Sequence, residues 1–307
     1  MAQSSFVTIK KNKTRMIVRD GYQGELLKLG MEGPQSLMDR NDLEIIRNGS
    51  RSLIASFPLS KSKNNKRAVL KYYKYRGFLK GLVDMFRASK ALRAWRMGNR
   101  LLELGINNPV PLAIGEQRTL RWLRKSFLIT REVPRFTALD HYLPICNMPL
   151  STEKIERKKA FIESLAKNIR EMHDKGLAHS DLKADDNILV QKDRNGEIAF
   201  YFVDLDGCAL RRKLSHYQRI KDLTNLVDLD GYALKRKLSH YPRIKDLTNL
   251  NVPILNLVTK TDRLRFFKEY SKGNESIDCR KYLKRIERRL VKRHHIVGNG
   301  LVRKCGI

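Results

Sequence analysis

Carboxylate, amide and lysine side chains recur at close spacing in three short runs of the sequence. The runs are Ala68-Val69-Leu70-Lys71, His179-Ser180-Asp181-Leu182-Lys183 followed by Asn187, and Val203-Asp204-Leu205-Asp206-Gly207. A lysine neutralises negative charge, and a carboxylate can accept a proton from a hydroxyl. Carboxylate and amide oxygens are ligands that Mg²⁺ prefers. Together these residue types suit phosphoryl transfer, in which negative charge is neutralised and two oxygens are held in line.

The order of the three runs resembles that of the protein-kinase-like fold. The first is similar to its Val-Ala-Ile-Lys strand, the second to its catalytic loop and the third to its metal-binding Asp-Phe-Gly turn. Each match alone is weak, but three in this order are specific. The resemblance predicts that Lys71 contacts the α/β-phosphates of ATP and that Asp181 accepts the proton of the acceptor hydroxyl. It also predicts that Lys183 steadies the γ-phosphate, and that Asp204 and Asn187 hold Mg²⁺.

Each of these residues also has a structural interpretation. Lys71 lies in a basic stretch, where a lysine is usually a solvated charge, but its apolar strand context favours function. Asp181 could be a turn residue, although the neighbouring Lys183 and Asn187 favour catalysis. His179 is interpreted as a hydrogen-bonded structural residue of the loop and not as a base.

The loop departs from the usual kinase pattern in two ways. Its asparagine normally follows the aspartate by five residues, whereas Asn187 lies six residues after Asp181. Either the loop carries one extra residue, or Asp186 is the second metal ligand. Ser180 replaces the usual arginine, so regulation by activation-loop phosphorylation is not expected.

The nucleotide-binding features around Lys71 also depart from the pattern. The helix that follows should supply a glutamate partner, but the aligned position holds Ala94, and Glu103 lies over two turns further on. The candidate nucleotide-covering turn has one obvious glycine, Gly49, where kinases have three. Either nucleotide is bound less tightly, or backbone amides around Gly49 to Arg51 suffice, with Gly49 and Ser50 as the candidate nucleotide contacts.

The elements that must position these residues are mainly strands in the first half and helices in the second. Hydrophobic periodicity and turn residues predict strands on both sides of Asn48-Gly49, over 67–73, near 108–116 and 126–134, and before Asp204. A helix is predicted to end near Gly105. A second, long helix follows Ser151 and Thr152, either of which could cap it, and stops at Gly176. Its predicted buried face consists of Phe161, Leu165, Ile169 and Met172.

This order of elements indicates an α+β, bilobal protein-kinase-like fold. It predicts a small, mostly β N-terminal lobe and a larger, helical C-terminal lobe. We assign a poorly defined N-terminal segment to residues 1–40, the first lobe to 41–135 and the second to 136–307. A basic tail, Arg280 to His295, is most simply an exposed helical face, with membrane or glycolipid docking as the alternative.

An internal duplication lies directly on the predicted metal-binding turn. Residues 203–226 and 227–250 are two 24-residue copies that differ only at Cys208/Tyr232, Arg211/Lys235 and Gln218/Pro242. Two copies do not make a solenoid. Only the first copy follows a strand-like run, so we predict that it keeps the original position and that the second copy is an insertion. Asp228 and Asp230 are then bystanders.

Composition limits the class of protein further. The 307 residues contain 63 Lys and Arg against 32 Asp and Glu, a net charge of +31, which predicts an anionic partner. The four cysteines form no Cys-x-x-Cys pair, so neither a zinc site nor a disulfide scaffold is indicated. The N-terminus has no secretory signal and no apolar run is long enough to cross a membrane. These features predict a cytoplasmic protein, held peripherally at a membrane.

In detail the sequence resembles the bacterial lipopolysaccharide core kinase family (Kdo/heptose kinases). The similar stretches are VLKYYKYRG, SKALRAWRMGNRLLELGINNPVPLA, SFLITREV, IREMHDKGLAHSDLKADDNILV, FVDLDG, RIKDLTNL and DRLRFFKEY. The resemblance implies an ATP- and Mg²⁺-dependent transferase that phosphorylates a Kdo or heptose hydroxyl of the inner core. It also implies a lipid A-linked acceptor and a place at the cytoplasmic face of the inner membrane.

Three alternatives remain at this point. A catalytically impaired kinase-fold protein could bind anionic glycolipid or a partner enzyme, which the duplication and the missing helix glutamate favour. A kinase-like phosphotransferase could use another acceptor, because acceptor pockets lie on variable loops. Nucleic-acid binding is suggested by charge alone, but no zinc finger, homeodomain or RNA-recognition signature is present, so no specific nucleic-acid partner is expected.

Overall fold

The chain divides into two compact units. The computed structural model describes residues 6–11, 13–24, 26, 40–59, 66–74, 88–119, 122–145, 151–193, 195–210, 240–254, 258–274 and 277–297. The first unit comprises Met1–Pro134 with Asp204–Gly207, and the second comprises Arg135–Val203 with Cys208–Ile307. The predicted lobe boundary at 135/136 lies one residue from this division. The assignment of residues 204–207 to the first unit was not predicted.

The first unit is built on a seven-stranded antiparallel sheet whose spatial order is β1-β2-β6-β7-β5-β4-β3. Its strands are β1 (Phe6–Lys11), β2 (Thr14–Arg19), β3 (Glu44–Asn48), β4 (Ser52–Pro58), β5 (Arg67–Tyr73), β6 (Pro111–Thr119) and β7 (Trp122–Arg131). Leu53, Ala55 and Phe57 project from one face of β4 and are buried, the period expected of a strand with one face on a core.

The hairpin predicted at Asn48-Gly49 is confirmed by the pairing of β3 with β4. The Gly49 amide donates to the Ser52 carbonyl at 2.9 Å, which closes the turn. The Gly49 carbonyl accepts from Lys74 Nζ at 3.0 Å. Both backbone groups of Gly49 therefore already have hydrogen-bond partners, one within the turn and one at the end of β5.

Two strands lie in the N-terminal segment where sequence patterns predicted no clear element. β1 pairs with β2, and β2 pairs with β6 at the edge of the main sheet. Met16 and Val18 alternate inward from β2 and are buried. The run is short and its outward positions are mixed polar and apolar, so neighbouring β6 determines its place more than its own periodicity does.

Helix α1 (Lys90–Glu103) packs on this sheet. Ser89 caps it, because the Leu92 amide donates to Ser89 Oγ at 2.9 Å. Gly98 lies so close to β6 that a Cβ there would be 2.7 Å from Pro111 Cγ. The predicted end near Gly105 agrees with the observed cap at Leu104.

The second unit is organised around helix α3 (Thr152–Asp174), which follows the short helix α2 (Leu139–Ile145). The predicted face of α3 is buried. Ser151 is its N-cap residue, but its hydroxyl makes no capping hydrogen bond. The other elements are β8 (Phe136–Ala138), β9 (Leu177–Ala178), β10 (Ile188–Lys192), β11 (Ile198–Phe202), β12 (Ala209–Leu210), α4 (His240–Ile254), α5 (Lys260–Ser271) and α6 (Cys279–Val297).

The duplicated segment contributes to the fold from both of its copies. Residues 203–210 of the first copy follow β11, as predicted. Residues 240–250 of the second copy form most of α4, so the expectation that the whole second copy is an insertion is corrected. Because the copies are nearly identical, sequence alone cannot say where along the repeat the surplus begins. Asp228 and Asp230 lie outside the described residues.

Among the described residues, no helix is long and apolar enough to cross a membrane. In the same part of the chain, no three His, Cys, Asp or Glu side chains converge as a metal-binding cluster.

Candidate active site

Lys71 lies in the middle of β5, between Ile54 of β4 and Leu128 of β7. Its ammonium forms a salt bridge with Asp204 and lies 4.0 Å from Asp206 Oδ2. The Lys71 side chain is only 18% exposed. The interpretation of this lysine as an ordinary solvated charge therefore does not hold, because two carboxylates are directed at its ammonium.

The two carboxylates come from a tight turn in the first unit. Asp204 has a left-handed backbone with φ of 60°, a conformation that costs energy for a residue other than glycine. A 3-10 helix, Leu205–Gly207, follows directly. Burial and the neighbouring Asp204 charge raise the pKa of Asp206, against the opposing influence of Lys71, Lys90 and Arg93.

The helix glutamate expected beside a kinase lysine is absent from α1, as the sequence indicated. Ala94 is buried against the sheet. Glu103 pairs with Arg100, and Glu116 pairs with Arg118 on β6. In the described part of the chain, the carboxylates that pair with Lys71 come from the 204–207 turn.

The residues of the predicted catalytic loop lie in the second unit, where Asp181 and Lys183 are at the surface. The Lys183 ammonium lies 3.5 Å from Asp181 Oδ2, and the Asp181 side chain is 59% exposed. Asn187 is buried, and its side-chain amide donates to the Asp181 carbonyl. Asp186 is exposed. The structure thus brings Asn187 against the backbone of Asp181.

His179 has the structural role that its position in the loop predicted. It is fully buried, and its Nε2 lies 2.8 Å from the Val203 carbonyl. A carbonyl only accepts, so Nε2 carries the proton and donates. Val203 in turn donates its amide to the Asn187 carbonyl at 3.1 Å. The loop is therefore tied to the residue immediately before Asp204.

The buried carboxylate of Asp246 in α4 also binds the backbone of the 179–187 loop. Asp246 Oδ2 accepts from the His179 amide at 2.8 Å, and its Oδ1 accepts from the Ser180 amide at 2.7 Å. Asn249 Nδ2 donates to the Ser180 carbonyl at 3.1 Å. Ser180 has φ of 69°, so these charge-assisted hydrogen bonds stabilise a strained residue directly before Asp181.

Asp246 is itself part of a buried polar network. His173 Nε2 lies 3.3 Å from Asp246 Oδ2, and His173 Nδ1 lies 2.7 Å from the Tyr270 hydroxyl. Burial lowers the pKa of His173 against the opposing pull of Asp246, so its ring is neutral at pH 7. Arg243 donates to the Tyr270 hydroxyl at 3.1 Å and to Asp174 at 2.7 Å.

Sequence reasoning assigned no function to His173, Arg243, Asp246 or Tyr270. Their signal is that charged or polar residues lie on the buried faces of predicted helices, where an ionisable group needs a partner. The partners come from α3, α4 and α5, and a long stretch of sequence separates α3 from the other two helices. No local spacing rule could have brought them together.

The residues present fit a magnesium site in their chemistry. Asn187 directs its amide nitrogen at Asp181, which leaves its oxygen available as a ligand. The Asp204 side chain is 42% exposed. Mg²⁺ in phosphoryl-transfer sites takes only one or two protein carboxylates, with the remaining positions filled by waters and phosphates, so the absence of a dense carboxylate cluster among the described residues is compatible with it.

The antiparallel sheet of the first unit, the helical second unit and the loop between β9 and β10 define a protein-kinase-like α+β fold, which confirms the predicted fold class. A solved structure, WaaP in complex with acyl carrier protein, has a TM-score of 0.59 and is 17% identical to this chain. The match covers 91% of this chain and 98% of that one. At this identity the likeness establishes the fold alone.

The chain belongs to the lipopolysaccharide kinase (Kdo/WaaP) family, whose sequence model matches residues 57–270. This confirms the resemblance drawn from the motifs. Lipopolysaccharide core heptose(I) kinase WaaP of Escherichia coli (strain K12) is 26% identical over 136 residues, 44% of this chain and 51% of that protein. 3-Deoxy-D-manno-octulosonic acid kinase of Mannheimia succiniciproducens is 26% identical over 146 residues, 45% and 56% respectively. The chain thus spans about half the length of these curated relatives.

Proposed function

We propose that this protein is an ATP-dependent kinase that phosphorylates a Kdo or heptose hydroxyl of the lipopolysaccharide inner core. Family membership supports the reaction class, and the names of the two relatives support the acceptor class. The observation that carries the proposal is the loop at 179–187. It presents an exposed Asp181 carboxylate beside Lys183, on a backbone anchored by Asn187 and Asp246.

In the proposed reaction, Asp181 accepts the proton of the sugar hydroxyl as its oxygen attacks the γ-phosphorus. A new oxygen–phosphorus bond forms, the bond from the γ-phosphorus to the bridging oxygen breaks, and ADP leaves. Lys183 neutralises negative charge on the transferred phosphoryl group. Lys71 binds the α/β-phosphates, and its ion pair with Asp204 keeps its ammonium in place before nucleotide arrives.

Asn187 and Asp204 are the proposed Mg²⁺ ligands. Bound Mg²⁺ would neutralise the β- and γ-phosphate oxygens. We favour Asn187 over Asp186 because the Asn187 side chain is held against Asp181, whereas Asp186 is exposed. Gly49 and Ser50 stay a prediction as nucleotide contacts. The Gly49 amide already donates within its own turn, which leaves Ser50 the better candidate of the two.

The proposed acceptor is linked to lipid A, so we place the protein at the periphery of the cytoplasmic face of the inner membrane. The net charge of +31 suits an anionic acceptor and an anionic surface. A kinase-fold protein without activity, which binds anionic glycolipid, is the second candidate. It is favoured by the missing α1 glutamate. A phosphotransferase with another acceptor would show ATP turnover without preference for core sugars.

The first test is Mg²⁺-dependent ATP turnover with and without lipopolysaccharide core acceptor. We expect turnover stimulated by acceptor and reduced by about 10²–10⁴-fold in Asp181→Asn, the effect of removing a general base. Asp185→Asn is the matched control, because Asp185 is an exposed carboxylate of the same loop; it should turn over like wild type. Wild-type protein that binds core glycolipid but hydrolyses and transfers nothing would establish the inactive alternative.

A further inference from the structure

The duplication gives the chain two nearly identical sources for each residue that the site takes from this region. Asp204 has its duplicate at Asp228, and Asp246 has its duplicate at Asp222. Each pair lies in the same local sequence, Val-Asp-Leu-Asp-Gly for the first and Arg-Ile-Lys-Asp-Leu-Thr-Asn-Leu for the second. Local sequence therefore cannot decide which aspartate of each pair contributes to the site.

The position after β11 is taken by the beginning of the first copy. Val203 continues directly from the strand, accepts from His179 and donates to Asn187. Asp204 then pairs with Lys71. Residues 209–210 close the segment by pairing with residues 177–178 of β9. All these contacts depend on the direct connection to β11, which Asp228 lacks.

The position against the catalytic loop is taken by the end of the second copy. Arg243, Asp246 and Asn249 contact residues of α3 or the loop and are buried. Helix α4 then runs on without a break through Leu250 to Ile254. In the first copy, the corresponding residues are followed by Val-Asp-Leu-Asp-Gly instead, so they lack this continuation.

One of the three sequence differences between the copies favours the second copy as the one that forms α4. Pro242 lies in the first turn of α4 and is buried, whereas the first copy has Gln218 at this position. Proline is well tolerated in the first turn of a helix, and its fixed φ favours the helical conformation there. The second copy therefore starts its helix at a lower entropic cost.

We propose that the working site is a composite of the two copies, with Asp204 supplied by the first and Asp246 by the second. Asp228 and Asp222 take no part. Asp246 is a positioning residue: it holds the amides of His179 and Ser180, and through them sets the place of Asp181. The effect on turnover depends on the kinase function proposed above, whereas the effect on stability does not.

The test compares matched Asp→Asn variants of the full chain. Asp246→Asn is expected to lower kcat by about 10²-fold, the cost of a misplaced reacting group, with little change in the KM for ATP. It should also lower the melting temperature by several degrees. Asp222→Asn should leave both unchanged. Likewise Asp204→Asn should abolish turnover and Asp228→Asn should not.

A second pair of variants, which remove a single hydrogen-bonding side chain, keeps the test valid if Asp246→Asn fails to fold. Asn249→Ala removes one hydrogen bond to the Ser180 carbonyl and should lower kcat, while Asn225→Ala in the first copy should not. If Asp246→Asn is harmless alone but the double variant with Asp222→Asn is inactive, the copies substitute for each other and the proposal is wrong. If the wild-type protein shows no turnover, the proposed kinase function is wrong. The two-copy site is tested separately by stability: equal melting temperatures of Asp246→Asn and Asp222→Asn would overturn it.

Discussion

At the scale of single residues, the environment of Lys71 distinguishes this chain from the usual kinase pattern. Its carboxylate partners come from the 204–207 turn, while α1 presents the buried Ala94 where a glutamate is usual. Asp206 Oδ2 lies 4.0 Å from the Lys71 ammonium, and the positive charges of Lys90 and Arg93 on α1 also act on the Asp206 carboxylate. We infer that Asp206 takes over the link between the lysine and the helix.

This role predicts opposite effects of Asp206→Asn on stability and on nucleotide binding. The pKa of Asp206 is raised by burial and by Asp204, so its charged form is disfavoured in the folded state. At pH 7 the variant should therefore have a slightly higher melting temperature than wild type. This gain should shrink as the pH falls towards the folded pKa and below, because wild-type Asp206 then takes up its proton.

The same variant should bind ATP more weakly, because one of the two carboxylates that direct Lys71 is lost. Melting curves between pH 4 and pH 7 and nucleotide titrations would measure both effects. Asp42→Asn is the control, and its melting temperature at pH 7 should change in the opposite direction, since a hydrogen bond from Arg40 lowers the pKa of Asp42. A melting temperature that falls at pH 7 in Asp206→Asn would contradict the inferred burial of its charge.

At the scale of elements, α6 has one face in the core and one that is strongly basic. Tyr282, Ile286 and Leu290 are spaced four residues apart and are buried. The exposed basic residues of the described part are Arg280, Lys281, Lys284, Arg285 and Arg288. The predicted tail is thus a helix anchored by apolar residues, with its charges directed to solvent.

We expect this face to make the proposed contact with an anionic membrane surface. Replacing Arg280, Lys284 and Arg288 by glutamate should weaken binding to vesicles of phosphatidylethanolamine and phosphatidylglycerol, at about 1 kcal/mol per charge removed. Binding should also fall with added salt. Vesicle sedimentation would measure it.

The matched control reverses three exposed basic residues of α3, namely Lys154, Arg157 and Lys167. Helix α3 also carries Glu153, Glu156 and Glu163, so its surface charge is mixed and its reversal should matter less. Equal losses in both triple variants would show that net charge alone, and not α6, governs the contact.

At the scale of the whole molecule, a site composed of both copies predicts that one 24-residue period of the duplication can be removed without loss of function. Deleting residues 211–234 joins Leu210 to Lys235 and leaves one hybrid copy, with the spacing that each copy has by itself. Turnover should be unchanged, and the melting temperature should stay the same or rise, because the entropy cost of closing a connection falls as it shortens.

Deleting residues 227–250 gives a comparison chain of the same length. It differs from the first deletion only by Arg211 in place of Lys and Gln218 in place of Pro. It should be active but slightly less stable, because it lacks the proline of the first helical turn. Loss of activity in the 211–234 deletion would show that the surplus period contributes to function.

Much of the fold was predictable because its signals are local. The Asn48-Gly49 turn, the apolar face of α3 and the strand before Asp204 each follow from side chains within one element. The loop at 179–187 could be identified as a candidate from sequence, because phosphoryl transfer requires particular residue types at close spacing. The first two strands were missed, since β2 is short and depends on β6 for its place.

The sequence by itself determined which residues are candidates for the chemistry, because Lys71, Asp181, Lys183, Asn187 and Asp204 belong to motifs whose spacing is local. The tertiary structure alone decided how they are held. It paired Lys71 with the 204–207 turn, placed Asp246 against the backbone of the predicted catalytic loop, and formed the helix at 240–254 from the second of two nearly identical copies. Those choices depend on contacts between residues far apart in the chain and on the chain connections at each end, which local sequence does not encode.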